Sequence, residues 1–199
     1  MKKIPSIFER DWARDRSSVV PVLASGCEWI MVGEATPTRK WDGMAVLVRS
    51  GQLYKRYDAK PGRTPPVDFE PCEFERDKVT GHWPGWILLG NGPEDRWLRE
   101  AYEASGGSTL TKGTYEAIGP KIGGNGERVD THRLMRHGAD VLTIGWMPPK
   151  SVEDLYANLA SYLSLAHIEG IVWWQDGIPA GKIKRRDFGL PWPLPESDP

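Results

Sequence analysis

RKWDGMAVLVRSGQLYKRYDAK, residues 39–60, is the stretch on which the reading of this chain turns. Met44–Arg49 and Leu53–Asp58 alternate apolar and polar residues, the period of a strand with one buried face. Gly51 and Gln52 fall between them, so the segment predicts a β-hairpin. Lys40 stands just before Asp42 and Gly43, at the mouth of a stiff element and not on a solvated helix face. A lysine held rigidly beside a carboxylate serves as a point charge for phosphate or as a nucleophile. Taken alone, K-x-D-G reads first as a surface lysine before an Asp-Gly turn.

Composition narrows the classes. A chain of 199 residues with 39% hydrophobic and 27% charged side chains makes a soluble folded domain with a real core. It shows neither a secretory leader pattern nor an apolar run long enough to span a bilayer. Cys27 and Cys72 lack metal-ligand spacing, and a reducing cytoplasm fits them best. A net charge of −1 excludes a basic nucleic-acid coat. The charge is uneven, however: residues 39–63 carry seven Lys or Arg against Asp42 and Asp58. Residues 182–187 set Lys182, Lys184, Arg185 and Arg186 against Asp187. Two local basic patches in a near-neutral chain point to a focused anion site, the plainer alternative being two solvated basic strands. Most of the ten tryptophans belong in packing, with a few available as stacking platforms for a base.

Along the chain, residues 1–24 read as a polar arm or short helix, and Trp29–Val32 as a short strand leading to Glu34. Residues 60–84, rich in proline and charge, predict a long surface loop. Trp86–Leu89 and Thr114–Ile118 read as strands and Glu94–Ala104 as a helix. GPKIGGNG then brings backbone close to something, but matches no phosphate-loop pattern. His132 and His137, in the polar stretch 126–140, lack zinc spacing and read as loop or capping histidines. Val141–Ile144 is a further strand candidate. Ser151 and Asp154 fit a capping box opening a helix whose Val152, Leu155, Leu159, Tyr162 and Leu163 share a face. Two strands follow, Glu169–Trp174 and Ala180–Arg185, joined at QDGIP. Alternation puts Lys182 and Lys184 on one face and Ile183 on the buried one. The chain ends in a proline-rich tail over 190–199. Without a repeat or linker, it reads as one domain, 1–199.

Order and context then matter more than any single motif. K-W-D-G (Lys40–Gly43) is followed by Arg56 on the next strand and Glu116 in TYEAIG. E-G-I-V-W-W (Glu169–Trp174) and K-I-K (Lys182–Lys184) come after the long helix. This ordered set resembles the covalent nucleotidyltransferases, the ATP-dependent ligases and capping guanylyltransferases. KWDG looks like motif I, Arg56 like the basic residue of motif Ia and Glu116 like the acid of motif III. EGIVWW looks like motif IV and KIK like motif V. The finer text, including LYKRYDAKPGR, GTYEAIGPKIGGN and KIKRRDFG, is similar to small stand-alone RNA ligases. The resemblance spans residues 40–189. Only ten residues follow Gly189, so it implies a ligase without the C-terminal OB domain.

The resemblance implies an α+β, ATP-grasp-like ligase fold: antiparallel sheets flanked by helices around a nucleotide cleft. It also implies an ATP-dependent RNA ligase that joins 5′-phosphate and 3′-hydroxyl ends through a lysyl–AMP intermediate on Lys40. Its alternatives are a DNA nick ligase, a capping-type guanylyltransferase, or an inactive nucleotide- or RNA-binding module of the same fold. Asp42, Gly43, Arg56, Glu116, Glu169, Lys182 and Lys184 would surround the nucleotide. Asp42 would orient the Lys40 loop, and Arg56 would meet the phosphate or the RNA end. Glu169 would hold Mg²⁺ or Mn²⁺, and Glu116 would bind metal or the ribose hydroxyls. Trp146 is a candidate by position for the aromatic that stacks on adenine. Lys182 and Lys184 would stabilise charge on the α-phosphate and favour the neutral amine of Lys40. RNA with 5′-phosphate and 3′-hydroxyl ends is the implied partner and no membrane association is expected; the sequence does not give the oligomeric state.

Overall fold

The computed structural model describes residues 2–78 and 80–195. Among them run strands β1 (Phe8–Arg10), β2 (Val19–Leu23), β3 (Thr36–Lys40), β4 (Met44–Arg49), β5 (Gln52–Ala59) and β6 (Glu70–Pro71). These are followed by β7 (Trp83–Leu88), β8 (Gly113–Ile118), β9 (Arg133–Arg136), β10 (Gly170–Gln175) and β11 (Ile178–Lys184). Two α-helices join them, α1 (Arg96–Ala104) and α2 (Val152–Leu165). Every pairing between the described strands is antiparallel, so the chain is α+β, the class expected of it. The residues gather into two compact units, between which the chain crosses at Lys3–Ile4, Trp41–Asp42 and His137–Gly138.

One unit holds Asp42–His137 with Lys2 and Lys3. Its sheet has six strands in the order β6-β7-β5-β4-β8-β9. The expected hairpin is β4–β5, but its turn lies one residue earlier than predicted. Arg49 pairs with Gln52, and Ser50 and Gly51 have φ of 53° and 69°, the two positive values of a type I′ turn. On one face Val46, Val48, Leu53, Tyr115 and Ala117 pack with Leu98, Ala101 and Tyr102 of α1. Lys55, on that same face, reaches buried Asp95 at 2.6 Å, so one lysine of the basic stretch belongs to the helix-facing side. Two segments expected to lack structure do pair. Glu70–Pro71 adds to β7, and β9 adds to β8 with Tyr115 opposite Arg136. Strand partners supply there what local polarity conceals.

The second unit holds Ile4–Trp41 and the described residues from Gly138 onward. Its three-stranded sheet runs β11-β10-β3. Asp176 and Gly177, with φ of 48° and 76°, turn β10 into β11. Ser151 Oγ accepts the Asp154 N–H at 3.1 Å while the Asp154 carboxylate reaches the Lys150 N–H, a cap worth about 1 kcal/mol. Leu155, Leu159 and Leu163 are fully buried against Ile171, Trp173 and Ile183. At the other end of α2, the buried Arg185 guanidinium donates to the carbonyls of Leu163, Ala166 and Pro191.

Several local expectations change in this unit. Among the described residues 2–24 there is no helix; β1 and β2 pair, and Ile7, Phe8 and Val19 enter the core. Three apolar anchors in a polar setting are enough to dock a short hairpin. Glu28–Val32 is a 3₁₀ turn closed by Gly33 at φ 73°, not a strand. Val141 makes only a bridge to Thr38, and Trp192 of the proline-rich tail is buried. The part of that tail from 196 to 199 lies outside the described residues.

Candidate functional site

Lys40 ends β3, within the three-stranded sheet, rather than opening the β4–β5 hairpin. Register then decides its neighbours. Gly170 lies opposite both Lys40 and Lys184, while Val172 lies opposite both Thr38 and Lys182. Directly opposed residues project to one side of a sheet, so Thr38, Lys40, Lys182 and Lys184 share a face. Arg39, Ile171 and Ile183 take the other, and the two isoleucines are core. With strands about 4.8 Å apart, the Lys40 and Lys184 backbones stand roughly 9.6 Å from one another. Gly170 leaves the space between them open. It is also sterically required, because a Cβ there would meet the Ile183 carbonyl oxygen at 2.1 Å.

Thr38 fixes β3 against β10. Its buried hydroxyl donates to the Val172 carbonyl at 3.0 Å and accepts from Trp174 Nε1 at 3.0 Å. Lys40 Nζ forms an ion pair with Glu169 and donates to its neighbour's carbonyl, Trp41 O, at 3.3 Å. Glu169, just before β10, is 8% exposed. Burial, and then the charges of Lys40 and Lys184, push the Lys182 ammonium down to about 8. Glu169 and Asp187 oppose that shift. Three lysine ammoniums thus converge on a face where Glu169 holds one, which is the electrostatics of an anion site.

Asp42, Gly43, Arg56 and Glu116 lie in the first unit. Glu116 accepts the Gly43 N–H at 3.1 Å through one oxygen and meets His137 Nε2 at 2.9 Å through the other. The Asp42 N–H donates to Glu127 at 2.8 Å. Gly43 must be glycine, since a Cβ there would lie 2.0 Å from the Ala117 carbonyl oxygen. The close approach expected of GPKIGGNG is internal: a Cβ on Gly123 would stand 3.2 Å from Gly43 Cα. Arg56 bonds Asp58 at 3.1 Å and lies 5.9 Å from the Trp86 ring. Continuing the ladder puts Arg56 and Glu116 on one face, with Ala45 between them. Trp146 is half-buried against the core of the other unit.

Glu127 and Arg10 are not singled out by the sequence, His137 reads there only as a loop or capping histidine, and Asp187 only as the acid within a basic run. Only Asp187 offered a signal, as an acid three residues after Lys184 at the start of a helical turn. His132 proves to be a packing residue: buried, stacked on Trp97 at 5.0 Å and bonded to Glu100 at 2.8 Å. Among the described residues no three His, Cys, Asp or Glu side chains gather as a metal cage. Mg²⁺ does not need one, because one or two carboxylates suffice when phosphates complete the shell. Glu169 suits that role. Glu116, with both oxygens engaged, suits positioning.

Fold and site define an α+β chain with a three-lysine, one-glutamate cluster on the sheet face opposite a core. Compared with protein-family models and with curated proteins, the chain matches none.

Proposed function

We propose that this protein is a covalent nucleotidyltransferase of the ATP-dependent RNA ligase type, with Lys40 as the nucleophile. The observation that carries the proposal is Lys40 paired with Glu169 on the sheet face that also bears Lys182 and Lys184. The order of motifs between residues 40 and 189 supports the choice of ligase, and resemblance alone supports RNA as the substrate.

Lys40 Nζ loses its proton to solvent as the α-phosphate arrives, a loss that the neighbouring charges of Lys182 and Lys184 favour, while Glu169 stays ionised and orients the amine. Lys40 attacks the α-phosphorus, a P–N bond forms, and the P–O bond to the β-phosphate breaks so that pyrophosphate leaves with the electron pair. Lys182 and Lys184 face the charge that builds on the phosphate oxygens. Magnesium bound at Glu169 would supply further charge stabilisation. In the second step a 5′-phosphate oxygen of the RNA displaces Lys40, which regains a proton. In the third, a 3′-hydroxyl attacks that 5′-phosphate and releases AMP. By resemblance, Glu116 would bind the ribose hydroxyls or metal.

The test is the intact mass of the protein before and after incubation with ATP and magnesium, beside Lys40→Ala. One AMP on the wild type, and none on the variant, is expected. No adduct from ATP, GTP or NAD⁺ on folded protein free of bound AMP refutes the enzyme reading and leaves a binding module. Sealing of nicked RNA against nicked DNA then separates the ligase types.

A further inference from the structure

We propose that the amino-terminal segment Pro5–Arg10 and Asp187 form a brace that positions Lys182 and Lys184, with Arg10 and Asp187 as positioning residues. The inference rests on the function proposed above. It begins with the ladder. In an antiparallel pair, alternate residues turn their amide groups away from the partner strand. The Arg185 N–H donates to the Glu169 carbonyl at 2.9 Å, so Arg185 and Ile183 bond towards β10. Lys182 and Lys184 are of the other parity, and their backbone groups point away from β10, towards what would be a bare sheet edge. Unpaired groups there would leave the end of β11 free to fray or slip.

Both lysines find partners on that side. The Lys182 N–H donates to the Pro5 carbonyl at 2.9 Å, and the Lys182 carbonyl accepts the Ile7 N–H at 3.0 Å. The segment fits tightly: a Cβ on Gly181 would stand 2.6 Å from Ile7 Cγ2 and 3.0 Å from the Trp29 ring. Lys184 is held by a side chain. Asp187, 2% exposed, accepts the Lys184 N–H at 2.7 Å through Oδ2 and the Arg10 guanidinium at 2.7 Å through Oδ1. Arg10 also donates to the Ser17 carbonyl at 2.8 Å, which ties the carboxylate to the β1–β2 hairpin. Asp187 therefore sets the backbone of one site lysine directly, and Arg10 sets Asp187.

Such a brace controls where two ammoniums stand, and small displacements of charged groups matter more to a reaction than to folding. Arg10→Ala and Asp187→Asn test this in the full chain. The readouts are amide hydrogen exchange at Lys184, the rate of AMP-adduct formation at saturating ATP, the half-saturating ATP concentration and the melting temperature. Both variants are expected to exchange the Lys184 amide about tenfold faster and to label about tenfold more slowly at saturation. Half-saturation should change by less than about threefold, with Arg10→Lys recovering part of the rate. Wild-type exchange and labelling in both variants overturn the brace, as does a loss of rate that follows the melting temperature alone. No adduct in the wild type overturns the ligase reading, and the catalytic purpose of the brace with it.

Discussion

Gly170→Ala offers a direct test of the sheet geometry that unites the candidate lysines. The glycine lies in the row between Lys40 and Lys184, and its added Cβ would stand 2.1 Å from the Ile183 oxygen and 2.9 Å from Lys184 Cα. Both are backbone atoms, so no side chain can rotate away. A carbon–oxygen contact needs roughly 3.3 Å, which means β10 and β11 must part locally by about 1.2 Å. Overpacking of this kind costs about 1–3 kcal/mol; about 2 kcal/mol lowers the melting temperature of a chain this size by about 4–8 °C. A displacement near 1 Å in a reacting group costs about 100-fold in rate. Calorimetry and single-turnover labelling with ATP measure the two effects. Gly145→Ala is the control, because its Cβ would meet nothing within 4 Å. A Gly170→Ala protein as stable as the control, labelling at the wild-type rate, would refute the register argument.

Two further outcomes follow from side chains in the same unit. Lys182 titrates near 8 instead of its ordinary 10.5, so phosphate binding that uses its charge should weaken as pH rises through about 8, and isotope-edited NMR of the lysine side chains should show the midpoint move upward in Lys40→Ala, which removes a neighbouring charge. Between those two values the unfolded chain binds more protons at this group than the folded one, so its contribution to stability rises with pH, an effect that urea midpoints at pH 8 and pH 10 should register and that Lys182→Met should abolish. Arg185→Met removes the donors that satisfy the last carbonyls of α2 and should cost about 2 kcal/mol, read as a lowered urea midpoint with unchanged slope.

The sequence was most legible where local rules act alone. Alternation marked β4, β5 and β11, short strand-like runs marked β8 and β10, and Ser151 marked the start of α2. It was least legible where a partner strand decides the matter. Nothing local in Arg133–Arg136 announces β9, which exists because β8 offers an edge. Phe8 and Val19 lie in a polar setting, yet bury themselves beneath α2. Lys40 shows the difficulty most clearly. Its nearness in sequence to the hairpin suggested membership of it, but the chain changes units between Trp41 and Asp42, one residue beyond it. The lysine belongs instead with β10 and β11, more than a hundred residues on. The pairing of Lys40 with Glu169 is therefore a consequence of register, which no spacing in the sequence encodes.

That register also explains how a chain with a net charge of −1 can present a focused positive site. Counting charge along residues 39–63 overstated the patch: Lys55 turns to Asp95, Arg49 to Glu70 and Arg56 to Asp58. What remains is smaller and better defined. Two opposed pairs across three strands place Lys40, Lys182 and Lys184 on one rigid face, with Gly170 keeping the space between Lys40 and Lys184 open. The core on the other face holds the strands in place, and buried Glu169 and Asp187 keep the lysines from being wholly uncompensated. Burial, with the charges of Lys40 and Lys184, raises the cost of the Lys182 ammonium, as its lowered titration shows. On the nucleotidyltransferase proposal, a bound phosphate would relieve that cost.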